Sequence, residues 1–137
     1  MKLRILYFAH DLADAAIRRR VLMLQNGGAR VTVAGFRRGG SVLTDDPDVR
    51  TISLGRTQDA RFAQRIGAVA LARLSLRAKL TGLDVPDVII ARNLETLALA
   101  QSAASLFWAD IPIVYECLDI HRLLLDDGVK GKLMRRA

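Results

Sequence analysis

The sequence predicts a doubly wound α/β domain: a mainly parallel sheet with helices on both faces. Three observations predict it. Five short apolar, β-prone runs, at 3–8, 31–36, 49–54, 87–91 and 111–115, are interleaved with segments whose apolar residues recur at helical spacing. The runs are continuous in hydrophobicity rather than alternating, as strands covered on both faces are. The chain has 137 residues, 51% of them hydrophobic and 5% aromatic, enough for one buried core. Alternation with helices makes the sheet parallel, and right-handed crossovers then favour the strand order 3-2-1-4-5.

Each element has a local reason. Residues 3–8 form the first strand. Asp11 and Asp14 offer caps for a helix over 15–25, whose inner face carries Ile17, Val21 and Leu24, and Gly27-Gly28 ends it. Residues 31–36 are strand two, and Arg37-Arg-Gly-Gly40 turns away from it. Asp45-Asp-Pro-Asp48 is turn chemistry before a third strand at 49–54. Asp59 caps a long helix to about residue 80, stopped at Gly82. Residues 87–91 are strand four, Asn93 caps a helix through about residue 107, and 111–115 is strand five. Pro112 sits at its start, where a missing donor is tolerated. Asp119 offers a cap for a further helix over 120–125, and the charged tail 126–137 reads as a helix cut short.

Composition narrows the function. The net charge is +7 and the isoelectric point about 10.5, so the surface attracts anions. The arginines are dispersed through helices and turns without interleaved aromatics, and no nucleic-acid motif is present. That disfavours nucleic acid and leaves phosphorylated ligands or an anionic membrane face. Along the 59–80 helix, Arg61 and Arg65, then Arg73 and Arg77, lie four apart beside apolar residues. This is either a solvated basic side of a core-packed helix or a surface resting on an anionic bilayer. No apolar run is long enough to span a membrane. The single cysteine, Cys117, reads as a small buried side chain in a reducing cytoplasm.

Chemistry is expected where the sheet changes direction of growth, at the carboxyl ends of strands one and four. The turn after strand one holds His10 and Asp11, and the turn after strand four holds Arg92, Asn93 and Glu95. Strand five next door stops in Glu116, Asp119 and His121. Each has a structural and a functional reading. Asp11 is a cap or a ligand contact, and Asn93 a cap that leaves backbone donors for an anion or hydroxyl. His10 is a candidate substrate contact. Glu116, directly after an apolar strand, reads as functional, Asp119 as a cap or a ligand contact, and His121 as a general base or a donor to a sugar hydroxyl. The turn Ala9-His-Asp-Leu-Ala-Asp-Ala15 has no Gly-x-Gly-x-x-Gly, which disfavours a nicotinamide or flavin site. There is no P-loop, no serine in a nucleophile elbow and no zinc-like histidine spacing, so no metal is expected.

Five stretches in this order and spacing resemble the N-terminal domain of a GT-B glycosyltransferase of the family 4-like retaining type. They are Lys2-Leu-Arg-Ile-Leu-Tyr-Phe8, Arg18-Arg-Arg-Val-Leu-Met-Leu24 and Gly28-Ala-Arg-Val-Thr-Val-Ala-Gly-Phe-Arg37, then Pro86-Asp-Val-Ile-Ile-Ala-Arg-Asn93 and Pro112-Ile-Val-Tyr-Glu-Cys-Leu-Asp-Ile-His121. The resemblance implies that residues 1–137 are the Rossmann-like, acceptor-side half of a two-domain enzyme. The nucleotide-sugar would sit on a C-terminal half outside this stretch, which is therefore expected to be inactive alone. It also implies transfer without a metal, from a nucleotide-sugar to a saccharide or lipid-linked acceptor in cell-surface polysaccharide synthesis. The enzyme would be cytoplasmic, peripheral at the inner membrane face. On this reading Glu116, Asp119 and His121 hold acceptor hydroxyls, with His121 the catalytic candidate, while His10, Asp11, Asn93 and Glu95 line the opposite wall. Relatives often carry a glycine-rich first turn and a histidine straight after strand five. This chain has His10-Asp11 and Cys117-Leu118 in those places. The competing class is a stand-alone, noncatalytic ligand-binding or regulatory α/β domain. A receiver-like domain would need an aspartate ending strand three, where Gly55-Arg-Thr57 stands.

Overall fold

The computed structural model describes residues 2–37, 49–56 and 62–116. Along the chain these form β1 (Arg4–Ala9), α1 (Ala15–Asn26), β2 (Arg30–Arg37) and β3 (Arg50–Arg56), then α2 (Phe62–Lys79), β4 (Val88–Ala91), α3 (Leu94–Leu106) and β5 (Ile113–Tyr115). The five strands pair in parallel in the order β3-β2-β1-β4-β5, as the crossover argument requires. The predicted elements up to strand five are all present, with ends shifted by a few residues. β5 is the shortest, beginning at Ile113 rather than 111. The predicted cap Asp59, the helix over 120–125 and the tail beyond it lie outside the described residues.

The strands are buried because both faces are covered. Leu6, Phe8, Ala34, Ile52 and Ile89 pack with Leu76 of α2 and Leu99 of α3 on one face. Ile5, Tyr7, Val31, Val33 and Ile90 meet Ile17 and Val21 of α1 on the other. Burying such aliphatic side chains contributes roughly 1.5–3 kcal/mol each, the main favourable term in a core of this kind.

Helix ends follow their capping chemistry. Asp14, not Asp11, is the N-cap of α1, its Oδ1 accepting from Ala16 N at 2.8 Å. Asp11 instead closes the preceding turn by accepting from Ala13 N at 2.9 Å. Asn93 and Thr96 form a reciprocal capping box at the start of α3. After α3, Trp108 stands in the left-handed region at φ 53, a conformation that usually falls to glycine. Gly35 of β2 has a different reason to be glycine. A Cβ there would lie 2.6 Å from Ala9 O and 2.9 Å from Leu12 Cδ2, so only glycine lets the chain leaving β1 fold back over β2. Leu12 N donates to Phe36 O at 2.9 Å across the same crossing.

Candidate functional site

Parallel order brings the carboxyl ends of β1, β4 and β5 side by side. Phe8 is opposite Ala91, and Ala91 opposite Tyr115. The ladder continues one step beyond the strands: Arg92 N donates to Phe8 O at 3.2 Å, and Glu116 N to Ala91 O at 2.8 Å. Arg92 and Glu116 are thus the first residues past two adjacent strand ends. Side chains alternate along a strand, so Arg92, in step with Ile90, and Glu116 fall on the α1 side of the sheet together with Tyr7.

These side chains form one charged cluster. The Tyr7 hydroxyl donates to Glu116 Oε2 at 2.6 Å. Arg92 Nη1 donates to the same oxygen at 3.3 Å and to the Tyr7 hydroxyl oxygen at 3.2 Å. Arg20, from the middle of α1, donates through Nε to Glu116 Oε1 at 2.7 Å. Tyr7 is fully buried, and the side chains of Arg92 and Glu116 are 8% and 10% exposed. Two cations around one carboxylate leave the cluster with an excess positive charge.

The electrostatics are mutually consistent. Burial opposes ionisation of Glu116, but hydrogen bonds from Tyr7 and Arg20 and the charges of Arg20 and Arg92 outweigh it and hold the carboxyl below its ordinary range. Burial and the neighbouring carboxylate raise Tyr7 well above the normal phenol range, so it stays a neutral donor. Burial works against the Arg92 charge, yet its contacts with Tyr7 and Glu116 more than restore it. One donor is left over: Arg92 Nε is buried and, among the described residues, has no hydrogen-bond partner.

Of the residues the sequence singled out, Glu116 is at the centre of this cluster. His10 stands apart with Asp14, its Nε2 3.4 Å from Asp14 Oδ2. Asp11 and Asn93 are engaged with backbone, as turn and cap, and Glu95 lies in the first turn of α3 on the opposite face of the sheet. Asp119, His121 and Cys117 lie outside the described residues. Sequence gives no signal for Tyr7 or Arg20: the tyrosine reads as one more core aromatic, and Arg20 as one of three consecutive surface arginines. For Arg92 the usable signal is a charged residue directly after a buried strand, in the turn where the ligand edge is expected. Among the described residues no three His, Cys, Asp or Glu side chains are grouped to hold a metal ion.

Comparison with known proteins adds descent to this geometry. The chain is 59% identical over 135 residues to the succinoglycan biosynthesis protein ExoL of Rhizobium meliloti (strain 1021). The match takes in 98% of this chain but only 34% of that protein, so the chain spans about a third of its curated relative's length. Among solved structures, TcCGT1 in complex with UDP superposes with a TM-score of 0.62 at 16% identity, covering all of this chain and 33% of that one. At that identity the likeness speaks for the fold. No protein-family model matches.

Proposed function

We propose that this chain is the acceptor-side, Rossmann-like domain of a retaining GT-B glycosyltransferase that builds a cell-surface polysaccharide. The observation that carries the proposal is the 59% identity, across nearly the whole domain, to a protein of succinoglycan biosynthesis. The fold shared with a UDP-bound protein agrees with it.

In this reading the donor nucleotide-sugar is held by a second domain facing the carboxyl edge of the sheet. The acceptor, a saccharide or lipid-linked saccharide, lies against that edge. Catalysis of this kind depends on positioning and on stabilising the departing diphosphate, without a resident metal. Glu116 is the anchor. Its ionised carboxylate is fixed from three sides, and a lone pair on Oε1 is left to accept a sugar hydroxyl. Arg92 Nε, the unsatisfied donor, would serve the oxygen of the same hydroxyl or a neighbouring one. Asn93, Glu95, His10 and Asp11, in the neighbouring turns, would be further candidates for acceptor contacts, as would Asp119 and His121 beyond β5, with His121 the candidate for proton transfer.

A lipid-linked acceptor would put the enzyme at the cytoplasmic face of a membrane without requiring it to cross. Among the described residues no helix is long and apolar enough to span one. The outer surface of α2 exposes Leu71 and Leu74 beside Arg73 and Arg77, a combination that would rest on anionic lipid.

The test is transfer of labelled sugar by the intact gene product, from a panel of nucleotide-sugars to membrane-extracted acceptor, with product anomers assigned by NMR. Transfer with retained configuration supports the proposal. Saturable binding of a small ligand without turnover would favour the stand-alone binding domain instead.

A further inference from the structure

The opposite edge of the sheet carries a second constellation that the transfer reaction does not use. At the amino ends of the strands lies a groove of about 430 Å³, remote from the Tyr7–Glu116 cluster. Arg4, Arg30 and Arg50, one from each of three adjacent strands, line it. Arg4 is the direct register partner of Arg30, and Arg50 is paired with Thr32, the next residue on that face of β2. All three are in step with Leu6, Ala34 and Ile52, and so lie on the α2 and α3 side of the sheet. The α2–β4 connection supplies the rest of the lining, through Gly82, Leu83, Asp84 and Pro86.

Among the described residues, the groove holds more positive charge than it compensates. Like charges directly opposite on neighbouring strands destabilise a sheet. Arg4 is partly offset by Asp87, whose Oδ2 lies 3.7 Å from its Nε. Among the described residues, no hydrogen bond or ion pair engages the side chain of Arg30 or Arg50. Among the described lining residues, three arginines face one carboxylate, Asp84. A sheet edge that gathers three guanidinium groups around a cavity, leaving two uncommitted, suits an oxyanion that accepts several charge-assisted bonds at once.

We propose that this groove binds a phosphate group, with Arg30 and Arg50 as its principal ligands and Arg4 at its side. The phosphate is either free in solution or the headgroup of an anionic lipid. The site is separate from the acceptor edge, so it stands or falls independently of the glycosyltransferase reading.

The test is calorimetric titration of the intact protein with inorganic phosphate at low salt, alongside sedimentation with phosphatidylglycerol and phosphatidylcholine vesicles. Both are repeated on R30Q/R50Q. The surface of α2 is unchanged in the double variant, so any difference reports the groove alone. Losing two charge-assisted contacts should weaken binding about tenfold or more. Inorganic phosphate binding that weakens in this way identifies a free phosphate ligand. Arg30- and Arg50-dependent binding to phosphatidylglycerol vesicles, without inorganic phosphate binding, identifies the lipid headgroup. No binding of either probe, or binding unchanged in R30Q/R50Q, overturns the proposal. Thermal unfolding is a further check. A ligand role predicts that R30Q alone, which relieves the Arg4–Arg30 repulsion, keeps or raises the melting temperature without phosphate. A structural role predicts a fall, and a clear fall with phosphate affinity intact overturns the proposal.

Discussion

Arg20 Nε lies 2.7 Å from Glu116 Oε1, joining the middle of α1 to the end of β5 across 96 positions of sequence. The bond ties the helix over one face of the sheet to the rim where the acceptor is proposed to lie. Its partners are unequal in what they contribute. Arg20 is 37% exposed, whereas Glu116 also serves the buried Arg92.

That inequality sets the first prediction. R20A removes a half-exposed ion pair and costs up to about 1 kcal/mol. E116A leaves the Arg92 charge buried without a counterion and costs about 3 kcal/mol or more. Chemical denaturation of both variants checks the ratio, and equal losses would place Arg92 in contact with solvent.

Y7F tests the hydroxyl with the ring retained. It removes the donor to Glu116 and an acceptor from Arg92 without opening a cavity, so a loss of about 1–3 kcal/mol is expected. Near-neutral behaviour would mean that Arg20 and Arg92 satisfy the carboxylate without the hydroxyl.

The pH dependence of stability has two limbs. Glu116 is held below its ordinary 4.5, so the stability it contributes is complete above that value and is lost as the pH falls through its lowered folded value. E116Q should flatten that acid limb. Tyr7 is shifted the other way: its contribution is complete below its ordinary 10.0 and is lost as the pH rises toward its raised folded value. Y7F should flatten the alkaline limb.

G35A should destabilise by about 1–3 kcal/mol, because the added methyl meets the Ala9 carbonyl, backbone that a side-chain rotation cannot move aside. N93A should cost about 1 kcal/mol through loss of the capping box. Melting temperatures of the two variants check both values.

Much of this architecture was legible in the residues. Continuous apolar runs such as 3–8 and 87–91 are what a doubly covered parallel strand requires, and handedness then leaves little choice of strand order. Asn93 announced its helix by local chemistry alone. The cluster was less legible because its members are far apart in sequence: Tyr7 and Glu116 are separated by 109 positions. A tyrosine within an apolar strand looks like core until its hydroxyl is seen to meet a carboxylate. Arg20 cannot be distinguished from Arg18 and Arg19 until the helix is rotated onto the sheet. Strand periodicity finds the rim, but only tertiary distances show which charges share it.

The role of Glu116 in holding the acceptor is read from the kinetics of sugar transfer by the intact protein and its E116Q variant, with acceptor and nucleotide-sugar varied separately. E116Q should raise the acceptor KM about tenfold or more, the loss of a charged hydrogen bond, while the donor KM is unchanged. A folded E116Q variant with the acceptor KM of the unsubstituted protein, or a raised donor KM alone, would contradict it.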